Sequence, residues 1–145
     1  MRSLLVEIYP PNVGAAGLAS ALRGLASPLA DRQVDELYDI DEEVAAMLPP
    51  STQEEMFRVA QECLRNVAKH SGARQVIIRL DEPPGGWARM EIEDDGTGFD
   101  AAEDAAEGHL GLELIADAAR RCNAELAVAS RPGQGTRFRM DVRVP

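Results

Sequence analysis

Hydrophobic residues recur every three or four positions in three segments of the chain, and this spacing predicts helices with one buried face. The first helix is expected over 14–30 and the third over 112–123. The second is expected over 51–71, where a capping-box pattern at Ser51–Glu54 opens it and Gly72 ends it. The repeating apolar positions are Leu18, Ala21, Leu22, Leu25 and Leu29, then Met56, Val59, Ala60, Cys63 and Val67, and finally Leu112, Ile115, Ala116 and Ala119.

Apolar and polar residues alternate in several other segments, and this period of two predicts strands with one buried face and one wet face. The alternation is clearest over 138–144, and it is also present over 76–80, 90–93 and 126–128. A weaker strand is expected near 33–40.

Proline and glycine mark the connections between these elements. Residues 83–86 and 132–135 predict turns that join neighbouring strands, and the acidic segment 41–50 is expected to be a loop. The sum is about three helices and four or five strands. We therefore predict an α/β two-layer sandwich, in which a mixed, mostly antiparallel sheet carries the helices on one face.

Length and charge narrow the functions that this fold can serve. The chain has 145 residues, which fits one domain, and its net charge of -10 argues against a nucleic-acid partner. A nucleotide is still a possible ligand, because local cations, backbone N–H groups and a metal ion can outweigh the overall charge. Cys63 and Cys122 have no metal-binding spacing, and no apolar run of about 18 residues is present. A cytoplasmic protein without direct membrane contact is expected.

Polar side chains on the predicted 51–71 helix form the first candidate site. Glu62 and Asn66 are four residues apart and share a face, with Arg65 and Lys69 beside them. We expect this face to lie opposite the apolar stripe. An amide oxygen can bind Mg²⁺, and a cationic side chain can neutralise phosphate. The alternative is a solvated helix face with ordinary ion pairs.

A second candidate site directly follows the strand over 90–93. Asp94 would be held at the strand end, where its carboxylate can accept a hydrogen bond from an amino group. Gly96 and Gly98 permit sharp turns and the close approach of a ligand. A plain loop is the alternative, whereas a calcium loop is disfavoured because the carboxylate spacing of an EF-hand is missing.

Two further glycine-rich segments have weaker signals when taken alone. The segment Gly108-His109-Leu110-Gly111-Leu112 opens the third helix, whose free N–H groups can bind an anion. Many helices nevertheless start near glycine, and His109 could equally be a local cap or an exposed residue. The segment from Gly133 to Thr136 could be an ordinary turn.

The order of these four segments resembles the ATPase family shared by histidine kinases, GyrB-type topoisomerases, Hsp90 and MutL. Residues 61–71 and 94–99 are similar to the N box and first glycine box of histidine kinases, most closely in the subfamily that partners helix-turn-helix response regulators. Residues 2–11 also resemble the segment that leaves that subfamily's dimerisation helices. The resemblance implies a Bergerat ATP-binding fold that holds Mg²⁺ and ATP.

The resemblance also implies roles for the base pocket and the lid. Asp94 would bind the adenine amino group, Gly96 and Gly98 would line the base pocket, and Thr136 would support Asp94 through water. The segment from Gly108 to Leu112 would bind ATP, because its two glycines would hinge the lid and present amides to the phosphates. The ATP-binding residues implied there are Gly108, His109, Leu110, Gly111 and Leu112.

On the helix, the resemblance implies that Asn66 would bind Mg²⁺ while Lys69 and Arg65 contact phosphates. Glu62 would be the catalytic residue, acting as general base or orienting the attacking imidazole. Phosphoryl transfer depends mainly on such positioning and charge neutralisation.

The implied division of the chain is a remnant of the dimerisation segment over 1–12 and an ATP-binding catalytic domain over 13–145. The domain would donate the γ-phosphate of ATP to a histidine on the kinase's dimerisation domain, and the full-length kinase would pass it to a response regulator. Neither His70 nor His109 has the setting of that acceptor, so the chain alone is not expected to autophosphorylate.

Two other functions are compatible with the same motifs. One is a serine kinase similar to anti-sigma factors, which the resemblance of residues 2–11 disfavours. The other is a non-catalytic nucleotide-binding module, which the joint presence of Glu62, Asn66 and Asp94 disfavours.

Overall fold

A computed structural model describes residues 17–25, 33–67, 72–98 and 112–145 of the chain. These residues form four helices and five strands. The helices are α1 (Gly17–Leu25), α2 (Glu42–Met47), α3 (Pro50–Asn66) and α4 (Leu112–Arg121). The strands are β1 (Asp35–Ile40), β2 (Gln75–Asp81), β3 (Trp87–Asp94), β4 (Glu125–Ser130) and β5 (Thr136–Arg143).

The five strands form one sheet in the order β1-β2-β3-β5-β4. The β1–β2 pair is parallel and the other three pairs are antiparallel, so the mixed, mostly antiparallel sheet is confirmed. One row of partners crosses four strands at one end of the sheet, from Val76 through Asp94 and Thr136 to Ser130. This row brings residues far apart in sequence to the same edge of the molecule.

The helices contact one another and the inner face of the sheet, and the core lies between these two layers. Every second residue of β2 and β3 is buried, as the alternation predicted. Each buried Val, Ile, Leu or Met side chain stabilises the fold by about 1.5–3 kcal/mol relative to its exposed state. The largest fully buried side chains include Leu18, Leu22, Met56, Ile78, Leu80, Met90, Ile115 and Met140.

The outer face of the sheet carries ion pairs instead of a second helical layer among the described residues. Arg79 contacts Glu93 at 3.1 Å, and Arg137 contacts the same carboxylate at 3.3 Å. Arg89 binds Asp141 through two hydrogen bonds of 2.8 and 3.2 Å. These cross-strand pairs keep the outer face hydrated and leave the inner face to form the core.

Helix α3 begins differently from the sequence prediction. The capping box at Ser51–Glu54 is wrong: the N-cap is Pro49, which makes no side-chain capping bond, and Pro50 occupies the first turn. Proline fits this position because its ring presets a helical φ and its missing N–H would be unsatisfied there anyway. Gln53 instead docks α1, since its side chain accepts from the N–H of Leu18 at 3.0 Å.

The segment 41–50 was predicted as a loop, and this is wrong because it contains α2. Asp41 caps that helix, accepting from the backbone N–H groups of Glu43 and Val44 at 3.0 and 3.2 Å. Val44 and Ala45 are buried, so tertiary packing stabilises a helix too short to form alone.

The predicted third helix is confirmed as α4, and Asn123 adopts a left-handed φ of 54° just beyond its end. Arg121 at the end of α4 binds Glu55 of α3 through hydrogen bonds of 2.9 and 3.1 Å. Gly72 has the left-handed φ of 60° expected after the second helix, although residues 68–71 are outside the described part.

Several sequence predictions fall on residues outside the described ranges. These are the division at residue 12, the ends of the 14–30 helix, and the segment after Asp94 from 99 to 111. Among the described helices, none has the length and hydropathy needed to cross a membrane.

Candidate functional site

Asp94 lies at the end of β3 on the inner face of the sheet. Alternate residues of a strand lie on the same face, so Asp94 shares the face of the buried residues Met90 and Ile92. The carboxylate accepts a hydrogen bond of 2.8 Å from the backbone N–H of Gly96, so the following loop folds back over it. Asp94 is half-buried, and the alternation of β3 places its side chain on the helix side of the sheet.

The neighbouring carboxylate of Asp95 has a structural role. It accepts hydrogen bonds from the backbone N–H groups of Arg74 and Gln75 at 2.8 and 3.0 Å. These bonds tie the loop after β3 to the start of β2 and hold Asp94 in place. The two adjacent acidic residues thus differ in function: one anchors backbone, and the other faces the cleft.

Two glycines let the loop after β3 pack directly on the β4–β5 turn. A Cβ atom at Gly135 would lie 2.3 Å from the carbonyl oxygen of Asp94, and one at Gly98 would lie 2.1 Å from that of Arg131. Gly133 also donates a backbone hydrogen bond to the carbonyl of Thr97. Glycine is therefore required at 98 and 135 by backbone packing, whether or not a ligand is bound.

The Glu62 carboxylate is buried on the flank of α3, with 8% of the residue exposed. Arg65, in the next turn, forms an ion pair with it at 2.6 Å between Nη1 and Oε1. The prediction that this face lies opposite the apolar stripe is wrong. Glu62 directly precedes the buried Cys63, and a rotation of about 100° per residue keeps it beside the core.

Packing between α3 and β3 relates the two carboxylates. Cys63 follows Glu62 on the helix, Ile92 lies two residues before Asp94 on the same face of the strand, and both line one narrow gap between the helix and the sheet. The part of α3 that carries Glu62 therefore lies near the end of β3 that carries Asp94. Burial raises the pKa of the Cys63 thiol, and the negative charges of Glu62 and Asp94 act in the same direction.

The packing between α3 and the sheet leaves only a narrow apolar gap, which has no room for a water molecule and belongs to the hydrophobic core. The residues that line this gap are Val59, Cys63, Met90, Ile92, Phe138 and Met140. A concavity opens at the sheet end, where Asp94, Ser130 and Thr136 contribute to its wall. This concavity, with its polar side chains, is the candidate binding site among the described residues.

The surroundings of the Asp94 carboxylate raise its pKa. Burial raises its pKa, and the charges of Asp95 and Glu93 act in the same direction against the hydrogen bond from Gly96. A ligand that donates a hydrogen bond to this carboxylate would relieve the unfavourable desolvation.

The structure describes only part of the predicted site. Glu62, Arg65, Asn66, Asp94, Gly96, Gly98 and Thr136 are described, and Asn66 is the half-buried last residue of α3. Leu112 begins α4. No group of three or more His, Cys, Asp or Glu side chains in the described ranges is arranged to hold a metal ion. The predicted residues outside those ranges are Lys69, Gly108, His109, Leu110 and Gly111, together with His70.

Ser130 was missed by the sequence analysis. Its hydroxyl oxygen lies 2.8 Å from that of Thr136, its partner across the β4–β5 ladder. The sequence did contain a hint, because Ser130 follows Leu126 and Val128 at alternate positions of the same strand and is therefore expected on the same, inner face. The sequence alone could not show that Ser130 pairs with Thr136 on the neighbouring strand.

The fold is that of histidine kinase ATP-binding domains. The histidine kinase domain of the blue-light-activated histidine kinase EL346 from Erythrobacter litoralis superposes with a TM-score of 0.74 at 23% identity, over 88% of this chain and 61% of that one. The Bergerat-type sandwich expected from the resemblance is thereby confirmed.

The family follows from the sequence match. Residues 51–145 match the family described as histidine kinase-, DNA gyrase B-, and HSP90-like ATPase, and the chain belongs to this family.

The curated relatives are sensor histidine kinases. The chain is 32% identical over 114 residues to MctS of Rhizobium johnstonii, covering 79% of this chain and 24% of that protein. It is 29% identical over 146 residues to LiaS of Bacillus subtilis, covering 100% of this chain and 39% of that protein. The chain thus spans between a quarter and two fifths of their length, and neither alternative function is favoured by these relatives.

Replacement of Gly135 by alanine tests the close packing at Asp94. Both Gly135→Ala and the control Gly86→Ala place a side chain at positive φ, but the Cβ at Gly86 meets nothing within 4 Å. The control should cost about 1–2 kcal/mol of unfolding free energy, and Gly135→Ala should cost roughly 1–3 kcal/mol more because of overlap with Asp94. Equal losses in urea unfolding would contradict the packing described above.

Asp94→Asn should stabilise the ligand-free protein at neutral pH, because it removes a carboxylate whose charged form burial disfavours. Since the folded-state pKa of Asp94 is raised, folding favours its protonated form, and stability falls as pH rises from the unfolded to the folded pKa. The gain in unfolding free energy from Asp94→Asn should therefore be complete at pH values above the folded-state pKa of Asp94. It should disappear in acid, below the pKa that Asp94 has in the unfolded chain. Urea unfolding across a pH series measures it, and an advantage that grows with acidification would contradict this sign.

Proposed function

We propose that this chain binds Mg²⁺ and ATP and donates the γ-phosphate to a histidine on the dimerisation domain of a sensor histidine kinase. The kinase would in turn phosphorylate a response regulator. The observation that carries the proposal is the packing of α3 against β3, where Cys63, next to Glu62, and Ile92, on the same face as Asp94, line one narrow gap. Family membership and relatives that are sensor histidine kinases support the same function.

The base would be recognised at the sheet end. Asp94 has a carboxylate that faces the cleft and already accepts one backbone N–H, which leaves acceptor capacity for an exocyclic amino group. Thr136 lies beside it as its β5 partner and would support it through water. Gly96 and Gly98 would keep the base pocket open on the loop side.

The phosphates would be held between α3 and the segment before α4. Asn66 would supply an amide oxygen to Mg²⁺, and the metal would neutralise developing charge on the phosphates. Arg65 would contact a phosphate through N–H donors other than the one bound to Glu62, because a guanidinium carries five of them. Lys69 and the segment from Gly108 to Leu112 would complete the phosphate contacts.

Glu62 would receive the proton of the attacking imidazole or orient its ring. The ion pair with Arg65 fixes the orientation of the buried carboxylate. A phosphoryl-transfer site needs such positioning more than it needs covalent chemistry from the protein.

Asp94→Asn should reduce ATP affinity by about tenfold or more, because the amino group loses a charged acceptor. Asp95→Asn is the matched control: it removes the same charge next door, and asparagine keeps an oxygen for the N–H groups of Arg74 and Gln75. Calorimetric titration with and without Mg²⁺ measures both variants. Equal affinities for the unaltered chain and Asp94→Asn would exclude Asp94 from base recognition.

Glu62→Gln should leave ATP affinity nearly unchanged and slow phosphoryl transfer by about 10²–10⁴-fold, the usual contribution of a general base. Transfer is measured with labelled ATP and a segment of a sensor histidine kinase that carries the acceptor histidine. Glu55→Gln is the control, because Glu55 lies on the same helix and is also ion-paired to arginine. Normal transfer by the Glu62 variant would remove this residue from the mechanism.

A further inference from the structure

The buried charged residues of the described ranges are Glu62 and Asp141, and the surroundings of their carboxylates differ. Both oxygens of Asp141 are bound. Arg89 donates to Oδ1 at 2.8 Å and to Oδ2 at 3.2 Å, and Arg139 lies 3.6 Å from Oδ2. A carboxylate enclosed in this way by arginines of its own sheet has a structural role.

Glu62 is bound at one oxygen only. Its Oε1 accepts a hydrogen bond of 2.6 Å from Nη1 of Arg65, and its Oε2 has no hydrogen-bond partner among the described residues. In the described part of the chain, no side-chain oxygen or nitrogen is both buried and without a partner, so Oε2 keeps access to solvent. One oxygen of Glu62 is therefore anchored, and the other is open.

Arg65 is placed to act as that anchor. Residues three apart lie on the same side of a helix, and the exposed fraction is 54% for the Arg65 side chain and 10% for that of Glu62. The guanidinium thus reaches a buried carboxylate from the surface of α3. Rotation about the last torsion of a glutamate is broad unless a partner restricts it, and a charge-assisted hydrogen bond is such a partner.

We propose that Arg65 is a positioning residue, which holds Oε1 so that Oε2 is the oxygen that meets the acceptor imidazole. This inference rests on the proposed function of the chain. In the transfer, one ring nitrogen bonds to the γ-phosphorus while the bond from that phosphorus to the oxygen of ADP breaks. The proton of the other ring nitrogen moves to Oε2. This role is separate from a phosphate contact, because it acts on the rate of transfer at saturating ATP instead of on ATP affinity.

The first test is the rate of transfer from labelled ATP, at saturating concentration, to the segment that carries the acceptor histidine. Arg65→Met should lower kcat about 10- to 100-fold, the effect of a misplaced catalytic group. Arg65→Lys keeps a cationic donor for Oε1 and should recover most of the rate. Arg58→Met is the matched control, because Arg58 pairs with Glu55 at the same spacing on the same helix, at 3.2 Å. It should transfer at the normal rate.

A double variant distinguishes positioning from a general effect on the helix. Once Glu62→Gln has removed the proton acceptor, adding Arg65→Met should cause no further loss of kcat, because the two residues act as a unit. A structural role of Arg65 would instead lower kcat by the same factor in both backgrounds, and this result would overturn the inference. Urea unfolding confirms that each variant is folded.

The remaining outcomes separate the inference from the function on which it rests. A loss of ATP affinity in Arg65→Met with kcat unchanged would overturn the positioning role and leave the proposed function standing. Failure of the unaltered chain to transfer phosphate to the acceptor segment would overturn the proposed function itself. A fall in kcat that Arg65→Lys reverses, and that is absent in the Glu62→Gln background, would support the role of Arg65.

Discussion

The close approach of three backbone segments at the end of β3 is the constraint on which the site depends. The β4–β5 turn lies against the carbonyl of Asp94, where only glycine fits at position 135. Asp95 ties the same strand end to the start of β2. Asp94 is therefore held from both sides while its own side chain remains directed into the cleft. A carboxylate placed this rigidly is ready for a donor before any ligand arrives, which lowers the entropic cost of binding.

The helix side of the cleft is organised by charge instead of backbone packing. Glu62 is buried and would be unfavourable there without a partner, and Arg65 supplies one at 2.6 Å. Nearer the start of α3, Glu55 binds Arg121 and so joins this helix to α4, and Gln53 accepts from the N–H of Leu18 in α1. Residues proposed to act on phosphate and imidazole thus belong to a helix whose N-terminal half is fixed to two other helices. Burial raises the pKa of the Asp94 carboxylate, and such a cost in stability is consistent with a site selected for binding.

Much of the fold could be predicted because the spacing of apolar residues along a helix or strand follows directly from which of its faces is buried. The alternation in β2, β3 and β5 and the spacing in α3 and α4 were sufficient to identify these elements. The helix α2 was missed because its stability comes from the Asp41 cap and from tertiary burial of two residues, which a six-residue segment does not reveal. The burial of Glu62 was missed because a helix flank lies at the boundary of the apolar stripe. Ser130 required the register of two strands, which is a long-range property.

The order of the polar motifs, rather than any one of them, indicated the family, and the family match bears out that inference. Each motif alone had an ordinary structural alternative, and the structure assigns such a role to Gly98, which is needed for packing. The space that a side chain at Gly98 would need is filled by the carbonyl groups of Arg131 and Gly135, so this glycine is required by the fold itself.

The central claim is that Asp94 and the last turns of α3 enclose one nucleotide. Amide chemical shifts of the ¹⁵N-labelled chain, followed during titration with Mg²⁺ and a non-hydrolysable ATP analogue, test it most directly. The account predicts the largest changes at Asp94, Gly96, Thr136 and Asn66, with little change on the outer face at Arg79 and Arg139. Changes confined to the outer face, or saturation at Asp94 without any response from α3, would contradict it.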